Sequence, residues 1–195
     1  MNEKSNNIST TDNTIYNPQT IDFVKTALAY CSLMEAGEEA GAGPFINKAT
    51  KLLPMLYLKA LMLPELYSDN DFDEPGAWLC VTESMYEAVR TRIAALLGEN
   101  DAYLETFHPD MPLSDAPIAA FISEDLADVY QDACALCLLF REGSSEAMLR
   151  AVAICKANFE LYWGQKLLNA LKALHALRYP ANDMEMLHNN IEDDE

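Results

Sequence analysis

The chain of 195 residues carries 13 Lys plus Arg against 31 Asp plus Glu, a formal net charge of −18. A phosphate backbone is bound through clustered cations that displace its counterions, so this balance excludes a nucleic-acid binder, and an anionic membrane surface is excluded by the same sign. The hydrophobic fraction of 50% suits one compact domain whose core needs neither disulfide nor metal staples.

Residues 1–16 are polar and hold no apolar run of the kind a secretory signal needs, so a disordered segment and a cytoplasmic protein are expected. Asn17-Pro18 then pairs a capping residue with a proline suited to the first helical position. Ile21, Val24, Leu28 and Cys31 follow at helical spacing, with Gly37 as the stop. A second helix is expected from Gly43-Pro44 to about Tyr67. Apolar residues cover nearly its whole circumference from Leu52 onward, which marks it as the central helix, and Pro54 inside it should kink it. Its greasiest window, 52–66, is 15 residues long and broken by Pro54, Lys59 and Pro64, too short to span a bilayer.

The turn-rich stretch 68–76 reads as a linker whose Pro75 opens a third helix through about Leu97, closed by Gly98. Residues 99–116, with Pro109 and Pro112, form the one long loop expected. A fourth helix starts at Pro117 or Ser123 and ends near Gly143. From Ser145 to Tyr179 no proline intervenes, giving one long helix or two joined near Gly164. The fold class is therefore all-α: a single-domain bundle of five or six helices around a central apolar helix over 17–180, with no strand and with a disordered acidic tail at 181–195.

Five cysteines, at 31, 80, 134, 137 and 155, are odd in number and scattered through apolar runs, unlike a disulfide framework. Cys134 and Cys137 have C-x-x-C spacing, but mid-helix and on one stripe with Leu126, Val129, Ala133 and Phe140, which points to core thiols instead of a redox pair. Asp69, Asp71 and Asp73 open like a calcium loop, yet the sixth position is Glu74 and the twelfth Cys80 where glycine and glutamate are required. No zinc-protease, phosphate-loop, nucleophile-elbow or di-iron Glu-x-x-His pattern occurs, so no metal or cofactor is expected.

On a wheel of the fourth helix, Asp125, Asp128 and Asp132 share one strip that Leu136 and Leu139 continue, which places the carboxylates at a groove edge. In the last long helix, Leu149, Ala153, Leu167, Leu171 and Leu174 form an apolar stripe that also holds Lys156, Glu160 and Arg178, with His175 at its border. Burying such groups without partners is costly, so they pair with one another, reach a wet cavity, or face a ligand. The expectation is an interhelical network in which the aspartates meet Lys156, His175 or Arg178. Gly164 on the same stripe leaves room for a close neighbour.

The stretches LLPMLYLKALMLP (52–64), SEDLADVYQD (123–132) and FELYWGQKLLNALKALHALRY (159–179) resemble the DUF5063 group, a mainly bacterial family of unknown function. The resemblance runs from about Phe23 to Tyr179 and includes Asp125, Leu126, Ala127, Asp128, Tyr130 and Asp132, then Trp163, Gly164, Leu171 and His175. It implies an all-α fold and brings no catalytic residues. Cys134 and Cys137 stand where more polar residues would be expected after Asp132, which weakens a redox reading further.

Two functional readings follow. One is a non-enzymatic, adaptor-like interaction domain that offers a groove or the 99–116 loop to a basic partner protein attracted by the net charge. The alternative is a small-molecule- or metal-binding enzyme using the acidic strip between the fourth and last helices, with His175 as a proton shuttle. Against the enzyme, His108 lies in the loop and His188 in the tail, so no second histidine stands near the strip. The candidate network or groove comprises Asp125, Asp128, Asp132, Lys156, Glu160, Trp163, His175 and Arg178.

Overall fold

The computed structural model describes residues 15–36, 41–64, 80–105 and 118–180. The expectations for 1–14, the Asp69–Asp73 motif, the central part of the 99–116 loop with His108, and the tail with His188 lie outside these residues. The elements in chain order are α1 (Pro18–Glu35), α2 (Ala42–Leu61), α3 (Glu83–Leu97), a 3-10 turn (Gly98–Asp101), β1 (Ala102–Glu105), β2 (Ile118–Phe121), α4 (Ile122–Glu142), α5 (Ser145–Asn158), a π turn (Phe159–Trp163) and α6 (Gly164–Arg178). The protein is an all-α bundle in which α5, the π turn and α6 follow without a break. Ile15 and Tyr16, within the segment 1–16 expected to be disordered, pack on the bundle: Ile15 is buried and the Tyr16 hydroxyl reaches Met148 Sδ at 3.9 Å.

Local chemistry sets the helix starts. The Asn17 side chain accepts the Thr20 N–H at 2.7 Å, Thr82 accepts that of Met85 at 3.3 Å, and Ser144 accepts that of Ala147 at 3.1 Å. Each satisfies one of the donors that a first turn leaves without an intrahelical partner. Helix α3 accordingly starts at Glu83, after Thr82, inside the span for which one helix from Pro75 is expected; Pro75 itself lies outside the described residues. Helix α4 stops at Gly143, whose φ of +82° is the left-handed conformation that closes helices and favours glycine.

Two further expectations change. First, residues 102–105 and 118–121 pair as a two-stranded antiparallel ribbon, Ala102 opposite Phe121 and Glu105 opposite Ile118. Strands of four residues are too short for an alternating pattern to show in the sequence. The ribbon brings Asp101 to the start of α4, where its carboxylate accepts the Ser123 backbone N–H at 2.8 Å and the Ser123 hydroxyl at 2.6 Å. Phe121 at the N-cap position has no side-chain acceptor, and Asp101 supplies one from across the ribbon.

Second, the central helix is α4 and not α2. Helix α4 packs on α1, α3, α5 and α6, and Leu126, Ala127, Val129, Ala133, Ala135 and Leu136 are all buried. Helix α2 runs through Pro54 and packs chiefly on α1 and α6, burying Phe45, Ala49, Leu53, Leu56 and Ala60 while one side stays in solvent. Apolar residues around a whole circumference therefore do not make this helix interior. The core between the layers is filled by Phe23, Tyr30, Met34, Leu53, Leu136 and Trp163. The Tyr30 hydroxyl donates to the Leu126 carbonyl at 2.7 Å, which satisfies the polar end of a ring buried throughout.

Candidate functional site

The acidic strip of α4 faces inward across β1, α3 and the start of α6. Asp125 has 1% of its side chain exposed; Lys166 Nζ lies 3.1 Å from its Oδ1, and the Tyr103 hydroxyl of β1 donates to its Oδ2. One turn on, Asp128 accepts from the Tyr86 hydroxyl of α3 at 3.0 Å on Oδ1 and from the Tyr162 hydroxyl of the π turn at 2.7 Å on Oδ2. Lys166 is also 3.7 Å from Asp128 and stands 5.8 Å from the centre of the Tyr162 ring. Asp132, a further turn along, accepts from Asn158 Nδ2 at 2.6 Å.

The cation that meets the strip is thus Lys166, and the expected partners lie elsewhere. Lys156 is buried, donates to the Leu63 carbonyl just beyond α2 at 3.1 Å and pairs with the exposed Glu160 at 3.9 Å. Arg178 donates to Thr50 Oγ1 of α2 at 2.6 Å and lies over the Tyr179 ring. His175 is exposed, its ring 4.9 Å from that of Tyr179. Trp163 is a core residue: its ring lies 6.5 Å from Phe23 and 4.7 Å from Phe159, and its Nε1–H donates to the Cys155 carbonyl at 3.0 Å. Of the eight candidates, Asp125 and Asp128 are brought together around Lys166; Asp132 joins α4 to α5, and the other five bind other parts of the bundle.

The π turn explains why Lys166 was missed. A straight wheel drawn from Lys156 sets Lys166 about 80° off the stripe. A π turn spends more residues per turn, with the Gly164 N–H reaching the Phe159 carbonyl, so positions beyond it rotate away from their straight-helix phase. The same turn swings Tyr162 onto Asp128 and leaves Leu161 85% exposed. Gly164 does have the close neighbour expected, in its own turn: a Cβ there would lie 2.6 Å from the Phe159 carbonyl oxygen and 2.9 Å from its ring. Tyr86, Tyr103, Asn158 and Asp101 carried no signal in the sequence, because each reaches its partner across the fold.

Burial pushes the Asp125 carboxyl above the usual aspartate value, against the opposing pull of the Tyr103 hydroxyl and the Lys166 ammonium. Burial would depress Lys166, but Asp125 overcomes it and the lysine pKa is raised. The three phenols are held neutral, first by burial and then by the carboxylates they serve: Tyr162 is pushed up to about 12, and Tyr86 and Tyr103 further. Each of the four oxygens of Asp125 and Asp128 already holds a donor from the chain itself. Acid–base chemistry needs a group within hydrogen-bond reach of a substrate, and this arrangement offers its groups to one another.

Among the described residues no group of three or more His, Cys, Asp or Glu is placed to hold a metal ion. None of the five cysteines forms a disulfide; Cys31, Cys134 and Cys155 are buried, and Cys80 and Cys137 half-buried. An open depression along α3, lined by Ser84, Glu87, Thr91 and Arg92, shares no residue with the strip.

The second distinctive feature is the outer side of α2. Gly43, Pro44, Asn47, Lys48, Lys51, Pro54, Met55, Leu58, Leu61 and Met62 are the exposed residues of α2 and its C-cap, and on a helical wheel they fall in an arc of about 140°. Along the helix axis, the N-terminal half of this face carries Asn47, Lys48 and Lys51. The C-terminal half is apolar, with Met55, Leu58, Leu61 and Met62 between 50% and 57% exposed. On one flank, the π turn and α6 run antiparallel to α2, through Phe159 against Tyr57 with ring centres 5.1 Å apart and Arg178 on Thr50. On the other, Lys59 pairs with Asp22 of α1 at 3.7 Å.

The model of a family described as a domain of unknown function, DUF5063, matches residues 14–180. The chain belongs to this family. A crystal structure of protein BF1032 from Bacteroides fragilis, determined in a structural genomics programme, is 38% identical, with a TM-score of 0.73 over 86% of this chain and 96% of that one. No curated protein matches the chain. The DUF5063 match takes in Ile15 and Tyr16, in line with their packing, and no helix among the described residues is long and apolar enough to cross a membrane.

Proposed function

We propose that this DUF5063 chain is a non-enzymatic, adaptor-like domain that binds a partner protein along the outer face of α2. The observation that carries the reading is the run of Met55, Leu58, Leu61 and Met62, all half-exposed on one arc of a helix. Scattered exposed apolar residues are ordinary, but a contiguous set edged by polar residues is the usual mark of an interaction surface. The acidic strip supports the same reading by contrast, since its carboxylates are engaged inside the chain. Five cysteines outside any disulfide agree with a reducing, cytoplasmic setting.

The reading is tested by immobilising the full chain and Leu58→Asp side by side and comparing the proteins each retains. Leu58 is exposed, so the variant should keep the parent melting temperature. A protein retained in stoichiometric amount by the parent and lost from Leu58→Asp supports the reading; retention by both would place binding elsewhere.

A further inference from the structure

Resting on that reading, we infer that the α2 face takes an amphipathic helix of a partner protein, whose apolar stripe covers Met55, Leu58, Leu61 and Met62 and whose acidic end meets Lys48 and Lys51. The first support is the charge partition. The whole chain has 31 acidic residues, yet residues 42–64 hold Lys48, Lys51 and Lys59 and not one Asp or Glu. Lys59 is engaged with Asp22, whereas Lys48 and Lys51 are exposed and make no ion pair among the described residues. The expected basic partner suits the net charge but not this face. At contact distance the nearest charges decide, because charges beyond roughly 8–10 Å are screened at physiological salt.

The second support is shape. From Pro44 to Met62 the exposed arc is about 27 Å long, and its width of about 140° exceeds the apolar stripe with which helices pack. The flanking rods α1 and α6 leave the α2 ridge as the contact line, the geometry in which one helix lies along another. A partner helix of about 18 residues matches the length. It would need apolar residues at i, i+3 or i+4, and i+7 toward one end and acidic residues toward the other. An anionic membrane would use the same lysines, but it presents an extended sheet of negative charge to a chain of net charge −18, whereas a single peptide meets only the local lysines.

Two labelled 18-residue helical peptides test the inference by fluorescence anisotropy against the full chain. Both carry the same leucine stripe; one has glutamates flanking one end and its twin has lysines there. The chain as a whole repels the acidic peptide and attracts the twin, so a preference for the acidic one must come from the local lysines. Binding of the acidic peptide at least tenfold tighter than the twin is expected, lost in Leu58→Asp and with the preference reversed in Lys48→Glu/Lys51→Glu. Equal or tighter binding of the twin, no binding of either peptide, or indifference to the lysine changes overturns the acidic-partner inference. If either peptide still depends on Leu58, the interaction-face reading survives that failure; if peptides bind independently of Leu58, both fall. A tenfold gain in acidic-peptide affinity on truncation after residue 180 would make the chain's own tail the occupant. A dimer in sedimentation that Leu58→Asp dissociates would make it a second copy, and Leu58-dependent co-sedimentation with phosphatidylserine vesicles would make it a membrane. Each of these three results overturns a partner helix.

Discussion

Lys166→Met keeps the aliphatic stem and deletes the ammonium that sits 3.1 Å from Asp125 and 3.7 Å from Asp128. Breaking a fully buried ion pair from one side costs about 3–5 kcal/mol, because a charge is left without its partner. Two features reduce that figure. Lys166 keeps 27% of its side-chain exposure, so solvent screens part of the attraction. Asp125, already raised by burial, can take up a proton instead of standing charged. The expected loss at pH 7 is about 2 kcal/mol, read from urea unfolding followed by far-UV circular dichroism. In a cycle with Asp125→Asn, the coupling should be about 1–2 kcal/mol. The pH dependence follows from the sign of the shift. Without Lys166 the folded Asp125 pKa rises further above its unfolded value, so the penalty is present where the carboxylate is charged and is relieved as pH falls through the folded pKa. The deficit of Lys166→Met should therefore shrink as the pH falls from about 7 through the folded Asp125 pKa. Additivity of the two changes within about 0.3 kcal/mol, or a deficit that grows with acid, would refute the reasoning.

Asp101→Ala removes the acceptor of both the Ser123 N–H and the Ser123 hydroxyl and should cost about 1–2 kcal/mol in the same unfolding assay; an unchanged midpoint would contradict its capping role. Gly164→Ala drives a Cβ against the Phe159 carbonyl and should lower stability by about 1–3 kcal/mol, whereas a parent-like melting temperature would mean that the π turn yields freely. Tyr86, Tyr103 and Tyr162 have folded pKa values raised above the ordinary 10.0. Their contribution is complete below that value and disappears as pH rises through the folded ones, so stability should fall above about pH 10, and less steeply in Tyr162→Phe. A bulky thiol reagent should leave Cys31, Cys134 and Cys155 unlabelled until denaturant is added; fast native labelling of Cys134 would overturn their core placement.

The helices could be read from the sequence because their signals are local: Asn17-Pro18 at one end of α1, Gly143 at the end of α4, and apolar spacing between. What escaped was set by the chain returning on itself. The ribbon of 102–105 with 118–121 shows only when both strands are in place, and it alone brings Asp101 to Ser123 and Tyr103 to Asp125. The carboxylates Asp125 and Asp128 were found because three-residue spacing on one helix is visible in one dimension. Lys166 was not, because a π turn between Phe159 and Trp163 changes the phase on which the wheel depends. The centre of the bundle was misplaced for a related reason: composition marks α2 as apolar, but which side of it is covered depends on where α1 and α6 lie.

Recognition is proposed on the surface of α2, with the acidic strip serving the fold. Amide hydrogen exchange, recorded across the full chain with and without a partner retained through Leu58, separates the two directly. This division of roles predicts slowed exchange on binding within residues 44–62 and no change around Asp125, Asp128 and Lys166. Protection centred on those three residues, with α2 exchanging as in the free chain, would contradict it.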